Sequence, residues 1–129
     1  YKDMISNHPL LENHVMYLGF CKDILSRLEV CDLYVNPIRA GGGTSVVEAM
    51  SKEKPAITIN YGDVSGIVGE RFCCETLGDM AKLIRRYEAD TDFYHEQSIY
   101  AKAVADEYMD SEREFERIMG EYAKRIHVL

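Results

Sequence analysis

The sequence is short of several things, and each lack narrows what it can be. No apolar run approaches the ~20 residues a membrane-spanning helix needs, and no signal peptide is visible. Basic residues are outnumbered: fifteen Lys and Arg face twenty-two Asp and Glu, for a net charge of −7. A uniformly acidic domain binds nucleic acid poorly, because phosphate contacts need clustered Lys and Arg. The nearest basic group, Lys82 with Arg85 and Arg86, reads as a solvated helix face. Cys21, Cys31, Cys73 and Cys74 show no CxxC spacing, so zinc and thioredoxin-like readings have no support. Cys31 and Cys73-Cys74 lie in or beside apolar runs, where buried free thiols are ordinary, and this usage points to the cell interior. His8, His14, His95 and His127 are scattered. His95-Glu96 begins like a HExxH motif, but position 99 is Ile, so the second ligand is missing. No metal and no cofactor is assigned. The phosphate fingerprints are absent too: Lys52 and Lys54 come too late for a P-loop, and Gly41 to Gly43 do not make GxGxxG.

What is present suffices for one domain with a real core: 129 residues, 47% of them hydrophobic. The chain starts at Tyr1, not Met, as expected of a piece of something longer. Its organising stretch is Cys31 to Asn60. Leu33-Tyr34-Val35 is a short apolar run stopped by Asn36-Pro37, and Ala56-Ile57-Thr58-Ile59 is another, opened by Pro55. Both read as buried parallel strands. Between them lie Gly41-Gly42-Gly43 and a segment whose Val46, Val47, Ala49 and Met50 recur at helical spacing, with Thr44 or Ser45 as a natural N-cap. The result is a βαβ unit whose loop sits at the carboxyl end of a strand, where open α/β sheets bind ligands.

The rest of the chain flanks that unit. Residues 1–13 form an irregular opening in which Leu10-Leu11 can pack on the sheet edge. Val15-Met16-Tyr17-Leu18 is a strand candidate, and Lys22 to Leu28 a short helix. Tyr61 to Gly66 reads as a second glycine-containing loop, and Arg71 to Cys74 as a short strand. Three helices follow. Thr76 to Glu88 opens on a capping-box-like Thr76 and Asp79. Asp92 to Met109 carries Phe93, Tyr100, Ala101, Val104, Ala105 and Tyr108 on one stripe. Ser111 to His127 carries Phe115, Ile118, Met119, Tyr122 and Ile126, with its acids early and its bases late, as the helix dipole prefers. The stripes read as core and domain-packing faces. The expected architecture is a Rossmann-like three-layer α/β/α domain with a parallel sheet, core 1–91, and a helical segment, 92–129. Three clear strands fall short of the five or six of a self-standing doubly wound sheet, so one or two more are expected before Tyr1.

The glycine loop suits a phosphate or diphosphate. Without Cβ atoms the backbone comes close to a ligand, and the following helix aims free N–H groups and a partial positive charge there. Thr44 and Ser45 add hydroxyls, and Arg39 a full charge. Glu48, one turn into the helix, can accept hydrogen bonds from vicinal hydroxyls such as those of a ribose. It can equally complete a capping box with Ser45, and the glycines can be no more than a tight turn.

Taken together, Asn36-Pro37, Arg39, Gly41-Gly42-Gly43-Thr44-Ser45, Glu48-Ala49-Met50 and Lys54-Pro55 resemble the donor-binding signature of two-domain glycosyltransferases of the GT-B fold, in the retaining group 1 (family 4) type. The resemblance covers about residues 14 to 88. It implies the truncated C-terminal half of such an enzyme, binding a nucleotide-diphosphate sugar (a UDP- or GDP-sugar) and serving transfer to a hydroxyl acceptor in cytoplasmic glycan or polysaccharide synthesis. The acceptor side would come from a missing N-terminal domain, so the piece alone would not turn over. By the same resemblance Glu48 holds the ribose hydroxyls, Gly42, Gly43, Thr44 and Ser45 line the diphosphate, Gly19 and Phe20 lie near the base, and Gly62 and Asp63 border the cleft. Two positions depart from the pattern. Ala40 stands where the family has a first glutamate near the donor sugar, which leaves retention of configuration open and passes part of the catalytic role to Arg39. Glu53 replaces the usual glycine before Lys-Pro. A sugar-nucleotide 2-epimerase on the same fold and a non-catalytic domain with a decayed site remain as alternatives.

Overall fold

In the computed structural model, which describes residues 2–126, the chain is built around one buried strand. Pro55 cannot continue a helix, and the β-branched residues after it favour an extended backbone. Ala56–Ile59 forms β2, in which Ala56, Ile57 and Thr58 are wholly buried. Tyr34–Asn36 forms β1 on one side and ends at Pro37, which has no N–H for the ladder. Cys73–Cys74 forms β3 on the other side. All pairing is parallel in the order β1-β2-β3, with Tyr34 opposite Ala56 and Thr58 opposite both Asn36 and Cys73.

Helices cover both faces and complete the Rossmann-like α/β/α arrangement. On one face, α3 (Gly43–Ser51), α4 (Gly62–Val68) and α6 (Thr91–Met109) meet. Val46, Met50, Val64 and Val68 pack there with Ala101 and Ala105, whose small side chains let α6 lie close. On the other face, Met80 and Tyr87 of α5 (Leu77–Ala89) pack on Ile57 and Cys74. The cap of α5 is the expected one. The Asp79 N–H donates to Thr76 Oγ1 at 3.1 Å, and the Thr76 hydroxyl donates to the Asp79 carboxylate at 2.6 Å, which holds that carboxyl below its ordinary pKa. At the starts of α6 and α7 (Ser111–Ile126) a carboxylate accepts one backbone N–H: Asp90 from Phe93 at 2.9 Å and Asp110 from Arg113 at 3.0 Å.

The end of α3 explains one oddity of the sequence. Lys54 N–H donates to Ala49 O at 3.2 Å and Glu53 N–H to Met50 O at 3.0 Å, the hydrogen-bond pair of a Schellman ending. Glu53 itself has φ of 60°, in the left-handed region where glycine is favoured. That is the position at which the resembling family carries glycine.

Several expectations are corrected. Val15–Leu18 forms no strand; it is irregular and exposed, because a strand exists only against a partner and β1 pairs with β2 alone. Tyr61 to Gly66 is largely helix rather than loop, since Val64 and Val68, four apart, both reach the core. The opening holds a short helix, α1 (Lys2–Ser6), and Leu10 stays exposed. The next helix, α2, spans Ile24–Glu29 behind an Asp23 cap. Residues Glu70–Phe72 form a 3-10 turn, which leaves only Cys73–Cys74 as strand. Cys31 is exposed, not buried. The N-cap of α3 is Gly42, not Thr44 or Ser45. The expected continuation of α7 to His127 lies outside the described residues.

Candidate functional site

After Pro37 the chain turns out through Ile38 and Arg39 and comes back as Gly41-Gly42-Gly43 at the carboxyl end of the sheet. The three glycines serve different needs. Gly42 has φ of 120°, and a Cβ there would lie 3.1 Å from Tyr34 Oη and 3.4 Å from Val64 Cγ2. A Cβ on Gly43 would lie 2.8 Å from Ile67 Cδ1 of α4. Gly41 faces open space, so it alone leaves its backbone free for close approach from outside. From the other side, the first turn of α4 clamps the loop. Asp63 N–H donates to Ala40 O at 2.9 Å, and Gly62, with φ of 76°, sits where a Cβ would be 2.6 Å from that same oxygen. Gly62 and Asp63 thus lie against Ala40, at the edge of the glycine loop.

No side chain caps α3, so its first-turn N–H groups keep the partial positive charge of a free helix start. Ser45 turns inward: its hydroxyl donates to Gly42 O at 2.9 Å and lies 2.8 Å from the Tyr34 hydroxyl. Thr44 is exposed, and Arg39 is exposed beside the loop. Glu48 is half-buried one turn further on, and no ion pair among the described residues engages it or Arg39. The capping box between Ser45 and Glu48 is not formed. Among the described residues Gly19 and Phe20 join neither core cluster, and Phe20 is 90% exposed.

Two residues of the site escaped the sequence reading. Tyr34 and Asn36 alternate with Val35 along β1, and Tyr34 belongs to the core on the α3 face. Reading them as an apolar run and its stop hid that the Tyr34 hydroxyl reaches the start of α3 and that Asn36 is buried. The period-2 pattern of Tyr-Val-Asn was the available signal. Asn36 is 4% exposed and its Nδ2 has no hydrogen-bond partner. Further along the sheet edge, burial pushes the Cys73 and Cys74 thiols up, away from the thiolate form. The arrangement is thus an open glycine, an uncapped helix start, a free arginine and a free carboxylate at one end of a parallel sheet. It can take an anion beside a hydroxyl-bearing group.

The family described as glycosyl transferases group 1 matches residues 1–104. A protein of Bacillus subtilis (strain 168), "Putative glycosyltransferase EpsD", is 35% identical over 92 residues, covering 69% of this chain and 23% of that protein. The chain thus spans about a quarter of the length of this curated relative. No solved structure matches.

Proposed function

The chain belongs to the glycosyl transferases of group 1, and from that premise we propose that its sheet end binds the donor, a UDP- or GDP-sugar, for transfer to a hydroxyl acceptor in cytoplasmic glycan or polysaccharide synthesis. The observation that carries this reading is the uncapped start of α3 behind the open Gly41. In the reaction, a nucleoside diphosphate leaves the anomeric carbon, and negative charge grows on its outer phosphate. The N–H groups at Gly43 and Thr44 and the Arg39 guanidinium meet that charge, and a preformed helix start does so without reorganising. Glu48 receives the ribose hydroxyls. Ser45, tied to Tyr34, shapes the loop from within, and Gly62 and Asp63 hold it from the side. The acceptor belongs to a further domain of a longer protein, across a cleft.

The test is thermal unfolding of the chain with UDP, GDP, ADP and CMP, repeated on Glu48→Ala. A ligand at ten times its Kd stabilises by about 1.4 kcal/mol, which shifts Tm by roughly 3–6 °C for a domain of this size. One diphosphate is expected to give that shift, and Glu48→Ala to remove it. No shift with any nucleotide, here and in the full-length protein, would replace the donor reading with that of a decayed site.

A further inference from the structure

Gly42 has no side chain to restrain it, takes φ of 120° and has glycine on both sides, so its carbonyl needs an outside hold to keep one direction. Several donors supply it. As the N-cap carbonyl of α3 it accepts the Val46 N–H at 3.1 Å, and the Ser45 hydroxyl donates to it at 2.9 Å. The Tyr34 hydroxyl lies 2.8 Å from Ser45 Oγ and 3.5 Å from the same carbonyl. A serine hydroxyl has one proton. With that proton on Gly42 O, Tyr34 is the donor of the short bond to Ser45, and donation runs from Tyr34 to Ser45 to Gly42 O. Tyr34 is itself fixed from behind: its N–H donates to Pro55 O at 3.0 Å, and its side chain packs against the core cluster that holds Val46 and Val64. The direction of the Gly42 carbonyl decides the direction of a donor. No peptide bond among the described residues is cis, and in a trans peptide the C=O and the following N–H point opposite ways. With Gly42 O drawn into the first turn, the Gly43 N–H faces out of the helix start, where no side chain caps α3.

We propose that Tyr34 is a positioning residue for the donor's diphosphate: through Ser45 it holds the Gly42 carbonyl inward and so keeps the Gly43 N–H aimed at the leaving phosphate. This rests on the donor-binding reading above. Tyr34 itself does not touch the ligand. A donor fixed in advance needs no reorganisation as charge grows on the phosphate. A peptide between glycines, left unheld, has more directions to lose on binding and spends part of its hydrogen bond on being ordered. The glycine triplet gives access, and Tyr34 restores the rigidity that the triplet removes. Because the Val46 bond to the same carbonyl does not depend on Tyr34, losing the hydroxyl loosens the peptide without freeing it. A nucleoside without phosphate gains nothing from the Gly43 N–H, so the hold is felt by the diphosphate alone.

The experiment uses the full-length protein and titration calorimetry with UDP, GDP, uridine and guanosine, on the natural sequence, Tyr34→Phe, Ser45→Ala, the double variant and Glu48→Ala. Isotope-labelled glycine lets the Gly43 amide be followed by NMR in each titration, and ligand-free stability is measured alongside by chemical denaturation. In the natural sequence one diphosphate is expected to move the Gly43 amide proton downfield. Tyr34→Phe is expected to lower affinity for that diphosphate about 3- to 10-fold, to shrink the Gly43 shift, and to leave nucleoside affinity unchanged. Ser45→Ala is expected to do the same, and it gives the answer if Tyr34→Phe fails to fold. The double variant should lose no more than the larger single loss, since the two hydroxyls act as one relay. Unchanged diphosphate affinity and Gly43 shift in both single variants, with binding still lost in Glu48→Ala, would overturn the role of Tyr34 and leave the donor site standing. Equal losses for nucleoside and diphosphate, or a loss that merely follows a loss of stability, would overturn it as well. No nucleotide binding by the natural sequence would overturn both readings.

Discussion

Helices α3 and α7 carry the same kind of message in sequence and meet opposite surroundings. The stripe of α3, Val46, Val47, Ala49 and Met50, is 0–5% exposed against the sheet, α4 and α6. The stripe of α7, Phe115, Ile118, Met119 and Tyr122, is 47–64% exposed. What α7 does hold is polar: Arg113 pairs with Glu107 at 2.9 Å, and Arg117 with Glu114 at 2.6 Å and Glu121 at 2.8 Å, all in solvent where such pairs contribute little. Amphipathic spacing reports a face that avoids water. It does not say which surface covers that face, or whether the same stretch of chain provides it.

The comparison breaks most sharply by truncation. Met50→Ala removes a wholly buried side chain and leaves a cavity between α3 and the sheet, at an expected cost of about 2–5 kcal/mol. Ile118→Ala on α7 is expected to cost under about 0.5 kcal/mol, as exposed substitutions do. Denaturation midpoints of the two variants decide the matter. Comparable losses would mean that the α7 stripe is covered in solution and that the contrast is false. A smaller effect is expected where α4 holds the start of α3. Gly62→Ala forces a left-handed non-glycine residue and drives a Cβ to within 2.6 Å of Ala40 O. It is expected to cost about 1–3 kcal/mol and to weaken nucleotide binding through the loosened loop. Stability and affinity both unchanged would show that the clamp is not needed.

The sequence made the region around α3 legible because its signals are local. Pro37 and Pro55 bracket β1 and β2, the glycines mark the loop, and Val46 to Met50 repeat at helical spacing, so each can be read within a few residues. Val15–Leu18 looked equally extended, but a strand is defined by hydrogen bonds to a distant partner, and nothing in four residues specifies that partner. In α4 two glycines outweighed the Val64 and Val68 pair, although Gly66 is exposed and costs the helix little beyond its own flexibility. The candidate site divides the same way. Gly42, Gly43, Gly62 and Asp63 lie together at the loop, and Phe20 is exposed. Tyr34 gains its significance only when α3 folds back over the strand that carries it. That contact links residues eight and eleven apart and has no local signature.

The far end of α3 offers the gentlest test of the contrast, because there the well-packed helix carries a local flaw that packing overrides. Glu53 takes φ of 60° to close the Schellman hydrogen bonds, a conformation that costs a side-chain-bearing residue about 1–2 kcal/mol. Glycine removes that strain but gains roughly 0.5–1 kcal/mol of freedom in the unfolded chain. The net expectation for Glu53→Gly is therefore a stabilisation of about 0.5–1 kcal/mol, read as a higher denaturation midpoint with an unchanged slope. Because Glu53 is exposed and sits at the opposite end of the helix from Gly43, nucleotide affinity should not move. A variant no more stable than the natural sequence would mean that the side chain returns in solution what its backbone loses. The glycine of the resembling family would then need a reason other than the turn.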